Sequence, residues 1–329
     1  MKAVVITAQG GPEVLEVRDV EPPELSTPNS IRVKVRAASL NRADLLQRRG
    51  LYPAPPGDPQ DIPGMEFAGE VEKLGSNVTQ WKTGQRVFGI TGAGAQAEYV
   101  VVPANNVAEI PQNLEWPEAG AVPEVFVTAH DALFTRANLQ ARENVLVHAA
   151  GSGVGLAAIQ LARASGAKVF GTSRTSEKLE RAKPFGLSGS FTAGTDPLAL
   201  VSALKTWSGD RGVDVVLELV GAPNLEANLQ ALAQKGRIVL VGMTGGSLAK
   251  LDLLAVMQKR ATLVGTVLRA RSDEEKGLAV SLFAKQVVPL LKSGEVVPVI
   301  DSVYKLADVC EAHRRMEANE NFGKIVLVI

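Results

Sequence analysis

Between Val145 and Gly155 an apolar run, Val145-Leu-Val-His-Ala149, stops at the small residues Ala150-Gly151-Ser152-Gly153-Val154-Gly155 and leads straight into Leu156–Ala162. A strand that ends in a glycine turn and feeds a helix leaves the first helical N–H groups without internal partners. Those groups, with the helix dipole, suit a pyrophosphate. Glycine clusters also serve plain tight turns. Here the cluster sits on the first strand of an alternating strand–helix pattern, and that context favours a dinucleotide.

Sites for NAD place Asp or Glu about 20 residues further on, against the ribose 2′-hydroxyl. The corresponding strand end reads Gly171-Thr172-Ser173-Arg174-Thr175-Ser176-Glu177-Lys178. The acid expected at the strand's end is missing, and Ser173, Arg174 and Lys178 cluster there instead. Arginine forks onto phosphate oxygens and lysine adds a point charge, which favours the 2′-phosphate of NADPH. A solvated loop with two surface cations is the plainer alternative.

The elements that must position these groups fall into two rhythms. Up to Pro123 the chain is rich in Gly, Pro and short β-type runs, among them Ile31–Val35, Phe67–Val71, Arg86–Ile90 and Glu98–Val102. Turn residues separate them, as in a compact, partly open antiparallel barrel. Beyond it, strands at Asn144–Ala149, Lys168–Thr172, Val213–Leu219, Arg237–Val241 and Thr262–Val267 alternate with helices at Val154–Ser165, Ser176–Phe185, Asn224–Ala233 and Leu253–Lys259. With a weak strand near Ser190–Thr192, this predicts a six-stranded, doubly wound parallel sheet. An amphipathic helix is expected over Ser281–Leu291. The final strand, Lys324–Ile329, needs a sheet, and the first domain is its expected home.

Composition narrows the function classes. The 329 residues are 46% hydrophobic and 21% charged, close to an ordinary globular protein, and two domains fit that length. Lys+Arg and Asp+Glu each number 35, so no global charge draws nucleic acid or an anionic membrane. No run approaches the roughly 20 apolar residues of a membrane span, and the first residues read as a strand and turn rather than a secretory signal. One cysteine, Cys310, permits no intrachain disulfide and suits the cytoplasm.

Four segments carry a likeness to a known family: Asn41-Arg-Ala-Asp44 through Tyr52-Pro-Ala-Pro-Pro56-Gly57, Pro63-Gly-Met65-Glu66-Phe-Ala-Gly-Glu-Val71, the glycine turn, and Asn321-Phe-Gly323-Lys324-Ile-Val. Over nearly its whole length the chain resembles the zinc-free, zeta-crystallin-like quinone oxidoreductases of the medium-chain dehydrogenase/reductase superfamily. Within them it looks most like the subgroup of the tumour-suppressor-induced quinone oxidoreductase. Relatives commonly show Ala-x-x-Gly-x-x-Gly at the turn. This chain has Ala149-x-x-Ser152-x-x-Gly155, as that subgroup tends to have.

The resemblance implies a GroES-like, partly open β-barrel catalytic domain (residues 1–122 and 270–329) and a doubly wound parallel-sheet Rossmann domain (residues 123–269) that binds NADPH. It implies that Ser152, Gly153, Val154 and Gly155 hold the pyrophosphate and that Ser173, Arg174 and Lys178 hold the 2′-phosphate. Thr128 would approach the nicotinamide ribose. Val241, Gly242, Met243 and Thr244, with Val267, Leu268 and Arg269, would line the nicotinamide half, and Lys324 would close the cleft.

Zinc-dependent relatives carry ligands where this chain has Asn41 and Met65, and four cysteines where it has Thr91–Gln96. One cysteine and three scattered histidines build neither site, so no metal is expected. His130 and His148 read as buried, hydrogen-bonded residues, His313 as a surface helix residue, and Cys310 as a small apolar filler. Without a Lewis acid, the chemistry is alignment of NADPH with an acceptor that already takes hydride readily, a quinone or an activated alkene.

Tyr52, a phenol on a proline-stiffened loop, is a candidate to orient a carbonyl oxygen; the alternative is an aromatic packed on that loop. Asn41 is a candidate to bond a ribose or carbonyl oxygen; the alternative is a turn cap. Asp44 reads as helix-initiating. An NADPH-dependent quinone oxidoreductase is the leading expectation, ahead of a 2-alkenal or enoyl-thioester reductase and of a non-catalytic NADPH-binding protein. Thr262–Val267 would be an exposed, apolar sheet edge, from which a homodimer is expected.

Overall fold

The structure, a computed structural model, describes residues 1–194 and 197–329. In chain order the strands are β1 (Lys2–Ile6), β2 (Leu15–Asp19), β3 (Ser30–Ser39), β4 (Glu66–Leu74), β5 (Arg86–Ile90), β6 (Tyr99–Pro103), β7 (Val107–Glu109), β8 (Asn144–Val147), β9 (Lys168–Ser173), β10 (Leu187–Thr192), β11 (Val213–Glu218), β12 (Leu232–Leu240), β13 (Thr262–Gly265), β14 (Ile300–Lys305) and β15 (Lys324–Val328). They divide between two compact units, Met1–Val127 with Leu268–Ile329, and Thr128–Val267.

The first unit is organised by β3. Its residues alternate between faces, so Ile31, Val33 and Val35 enter a core with Phe67, Val71, Val87, Val100 and Val102. One edge of β3 pairs antiparallel with β4, across two register shifts. The other edge changes partner, taking β6 over Ser30–Lys34 and β15 over Ala37–Ser39. A strand with three partners and two irregularities bends, and the sheet curls toward a barrel. The chain's last strand lies in this unit, as its sequence required.

Two helices pack beside β15. Arg42–Arg48 starts one residue after Asn41, whose N–H donates to Asp44 Oδ2 at 2.7 Å. The helix Val309–Glu317 buries Val309, Ala312 and Met316 against Leu40, Leu45, Ile325 and Leu327.

His313 corrects the reading of a surface residue: it is fully buried, on the same stripe, with Nδ1 3.1 Å from the buried Arg48 guanidinium. Burial, then the Arg48 charge, pushes it down to about 3, so it stays neutral. Arg48 in turn pairs with Glu317.

The expected helix Ser281–Leu291 is two helices, Asp273–Gln286 and Val288–Ser293. Pro289 has no N–H for the carbonyl four residues back, so the first helix cannot run on through it. The true start was signalled by Ser272, whose hydroxyl accepts from Glu275 N at 3.2 Å.

The second unit is a six-stranded parallel sheet in the order β10-β9-β8-β11-β12-β13. The order reverses at β8, where α/β sheets open a ligand crevice beyond their carboxyl ends. β8 and β11 are buried along their whole length and are mostly Val and Leu, as expected of central parallel strands covered on both faces. The weak strand expected near Ser190–Thr192 is the end of β10.

Candidate active site

Within the second unit, the carboxyl ends of β8, β9, β11 and β12 bring the predicted cofactor residues together. The helix Gly153–Ala164 follows β8, and Ser152 is its N-cap, with Oγ accepting from Gly155 N at 3.1 Å. Serine is accommodated at the middle glycine position because its backbone is extended, φ −78°. The left-handed residue of the turn is Ala149, φ 48°, rather than any glycine of the cluster. Gly155 is needed for a close approach instead, since a Cβ there would lie 2.5 Å from the Ala149 carbonyl oxygen. The N–H groups of Gly153 and Val154 belong to the first turn and have no helical acceptor. A pyrophosphate fits this cradle.

At the end of β9, Ser173 is buried, Arg174 is exposed and Lys178 is half-buried. Val241 and Gly242 donate their N–H groups to the Glu218 carbonyl, while Met243 and Thr244 are exposed. Val267 is exposed and Thr128 half-buried.

Beneath the crevice lies a network that sequence reasoning saw only as a buried histidine. His148 Nε2 is 2.7 Å from Asn228 Oδ1, and Nδ1 is 2.7 Å from Thr172 Oγ1. Asn228 Nδ2 donates to Glu218 Oε2 at 2.6 Å, which leaves its Oδ1 to accept and assigns the His148 proton to Nε2. Glu218 Oε1 also accepts from Val220 N and Gly221 N, at 2.6 and 2.8 Å. The ends of three strands are thereby cross-tied.

In the first unit the predicted residues Asn41, Tyr52, Arg269 and Lys324 surround buried acids. Glu66 is fully buried. Its Oε1 accepts from Lys324 Nζ at 2.7 Å, Asn41 Nδ2 at 2.8 Å and Ser39 Oγ at 2.8 Å, and its Oε2 from Glu124 N at 2.8 Å. Lys324 spends its other protons on Leu40 O at 2.6 Å and Asn41 Oδ1 at 2.9 Å, so no N–H remains for a ligand. Asn41 keeps one amide proton. It is both the helix cap and a member of the cluster, so the two sequence readings coexist.

Tyr52 lies under Arg269, whose guanidinium carbon is 4.9 Å from the ring centroid. Arg269 is buried and donates to Gly92 O at 2.7 Å, Tyr52 O at 3.1 Å and Gln47 Oε1. It thus fixes the proline loop from beneath. Burial pushes the Tyr52 phenol up, so it is a proton donor at neutral pH.

Asp44 accepts from Asn41 N and Gly64 N, yet its complete burial raises it to about 6. Glu124 goes further, to about 8, chiefly by burial and next by the neighbouring Glu66 charge. Sequence reasoning missed both Glu66 and Glu124 as site residues. The available signal was a lone acid in the apolar stretch Ala119–Ala129.

The zinc-free expectation rests on donor chemistry. Asn41 offers an amide, Met65 a buried thioether, and Glu66 is taken by Lys324. Among the described residues no three His, Cys, Asp or Glu are grouped to hold a metal ion. Zinc does not fit.

The alcohol dehydrogenase GroES-like domain family matches residues 27–112, and the zinc-binding dehydrogenase family residues 153–285. Human quinone oxidoreductase is 32% identical over 332 residues, covering 100% of this chain and 98% of its own. The chain belongs to the quinone oxidoreductase family of medium-chain dehydrogenases/reductases. A Pseudomonas aeruginosa quinone oxidoreductase is 34% identical over 329 residues, 99% of each chain. The crystal structure of the Escherichia coli quinone oxidoreductase complexed with NADPH superposes with a TM-score of 0.87 at 29% identity, covering all of both chains. As in the sequence-based expectation, this family pairs a GroES-like unit with a Rossmann sheet. No described helix is long and apolar enough to cross a membrane.

Proposed function

We propose that this chain is an NADPH-dependent quinone oxidoreductase that works without a metal. The observation that carries the reading is the pairing of a pyrophosphate cradle, Ser152–Gly155, with an acid-free β9 end bearing Ser173, Arg174 and Lys178. Thr128, Val241–Thr244 and Val267 would serve the nicotinamide half. NADPH supplies the hydride when bound. The chain's own groups then orient the acceptor: the Tyr52 phenol by donating to a carbonyl oxygen, Asn41 through its spare amide proton. Lys324 and Arg269 act at one remove, holding Asn41 and the Tyr52 loop.

Purified protein should oxidise NADPH with ortho- or para-quinones under stopped-flow absorbance, and no turnover with any quinone would overturn the reading. The same donors suit a conjugated enone or enoyl thioester, and relative rates on a quinone and an α,β-unsaturated aldehyde separate the two. We further propose a homodimer formed through β13, an edge strand flanked by the exposed side chains of Leu253, Leu254, Met257 and Val267. A monomeric mass by light scattering would refute it. A single cysteine suits work in the cytoplasm.

A further inference from the structure

Ala149, the left-handed residue of the cofactor turn at φ 48°, is strained there because it carries a Cβ, as a glycine would not be. Such strain persists only where the surroundings over-determine the backbone. Both chain neighbours of Ala149 are fastened to one residue, Thr172 near the end of β9. Thr172 O accepts from Ala150 N at 2.8 Å, and Thr172 Oγ1 lies 2.7 Å from His148 Nδ1. With its proton on Nε2, the His148 ring accepts from the Thr172 hydroxyl and donates to Asn228 Oδ1, so both ring nitrogens are used. His148, Thr172, Asn228 and Glu218 are all buried, and such a network is costly to desolvate but rigid once every member is bonded. The strained residue supports the cradle directly. Ala149 O accepts from Ser152 N at 2.8 Å, and a Cβ on Gly155 would lie 2.5 Å from the same oxygen.

We propose that His148 is a positioning residue for the coenzyme: its ring, held between Thr172 and Asn228, locks Ala149 left-handed and keeps the Ser152–Gly155 cradle formed before the coenzyme arrives. This rests on the reading of the chain as an NADPH-dependent oxidoreductase. Without the lock, Ala149 relaxes toward negative φ and the cradle-competent conformer becomes a minor one. Affinity then falls by the fraction of molecules that retain it. Glycine takes positive φ about as readily as negative, so a glycine at position 149 makes the lock dispensable.

The experiment compares wild type, Thr172→Val, Thr172→Ser and Thr172→Val/Ala149→Gly by calorimetry with NADPH and NADH, and by amide hydrogen exchange of the coenzyme-free proteins. Thr172→Val removes the hydroxyl that serves His148 and keeps the side chain's volume. It should raise the Kd of both coenzymes by about 5- to 30-fold, the population cost of a left-handed alanine. Thr172→Ser keeps the hydroxyl and should bind as wild type does. Adding Ala149→Gly to Thr172→Val should recover most of the lost affinity. The Ala150 and Ser152 amides should be protected in coenzyme-free wild type and exchange faster in Thr172→Val. A Thr172→Val protein that melts lower yet binds both coenzymes normally would overturn the role and leave the network purely structural. A loss confined to NADPH, or one that Ala149→Gly does not relieve, would overturn it too. Should Thr172→Val not fold, wild type decides alone: protection of the two amides upholds the lock, and free exchange refutes it. Failure of wild type to bind either coenzyme would overturn the functional reading, and with it this role.

Discussion

Lys324 donates to Glu66 Oε1 at 2.7 Å from a strand 258 residues later in the chain, and both side chains are buried. The contact closes the first unit's sheet system at its centre. It also holds Asn41, whose amide bridges the pair.

Removing one partner strands the other charge away from water. Lys324→Met should therefore destabilise the protein by about 3–5 kcal/mol. The double variant Glu66→Gln/Lys324→Met should lose less than the sum of the single losses, because neither charge is then left alone. Urea midpoints at constant m test this, and an additive double variant would show the pair is not coupled.

Glu124 links stability to pH. Its folded value of about 8 lies above the ordinary 4.5, so the native state holds a proton that the unfolded chain releases. Its contribution is complete below about pH 4.5 and is lost as pH rises to about 8, with a slope near 1.4 kcal/mol per pH unit. The Glu124→Gln stability curve should be flatter than wild type across that window. Parallel curves would mean the carboxyl is ionised in the fold.

His313 acts in the opposite sense. Its folded value of about 3 lies below the ordinary 6.5, so its contribution is present above pH 6.5 and lost as acid is added toward pH 3. His313→Asn, which preserves a hydrogen-bonding side chain for Arg48, should weaken the acid sensitivity of the melting temperature between those values. An acid limb identical to wild type would exclude the histidine as its source.

Arg174 is assigned to the coenzyme's 2′-phosphate. Arg174→Ala should raise the NADPH Kd by about 10- to 100-fold, the range for a lost charge-assisted hydrogen bond, and leave NADH little changed. Calorimetry with both coenzymes decides it. Equal weakening of the two would assign Arg174 elsewhere.

Strand, turn and helix are local events, so the sequence determined them: the Val- and Leu-rich strands β8 and β11, the Ser152 turn, and the alternation that predicts six parallel strands. Periodicity likewise contained His313. Val309, Ala312, His313 and Met316 fall on one helical stripe, which marks the histidine as buried although its type suggested the surface. What periodicity reports is which face turns inward, never what it meets. The Glu66–Lys324 pair, the hold of Arg269 on the Tyr52 loop across 217 residues, and the burial of Glu124 beside Glu66 depend on distant segments arriving together. A side chain's charge state and reach are set by those neighbours, and only the tertiary structure decided them.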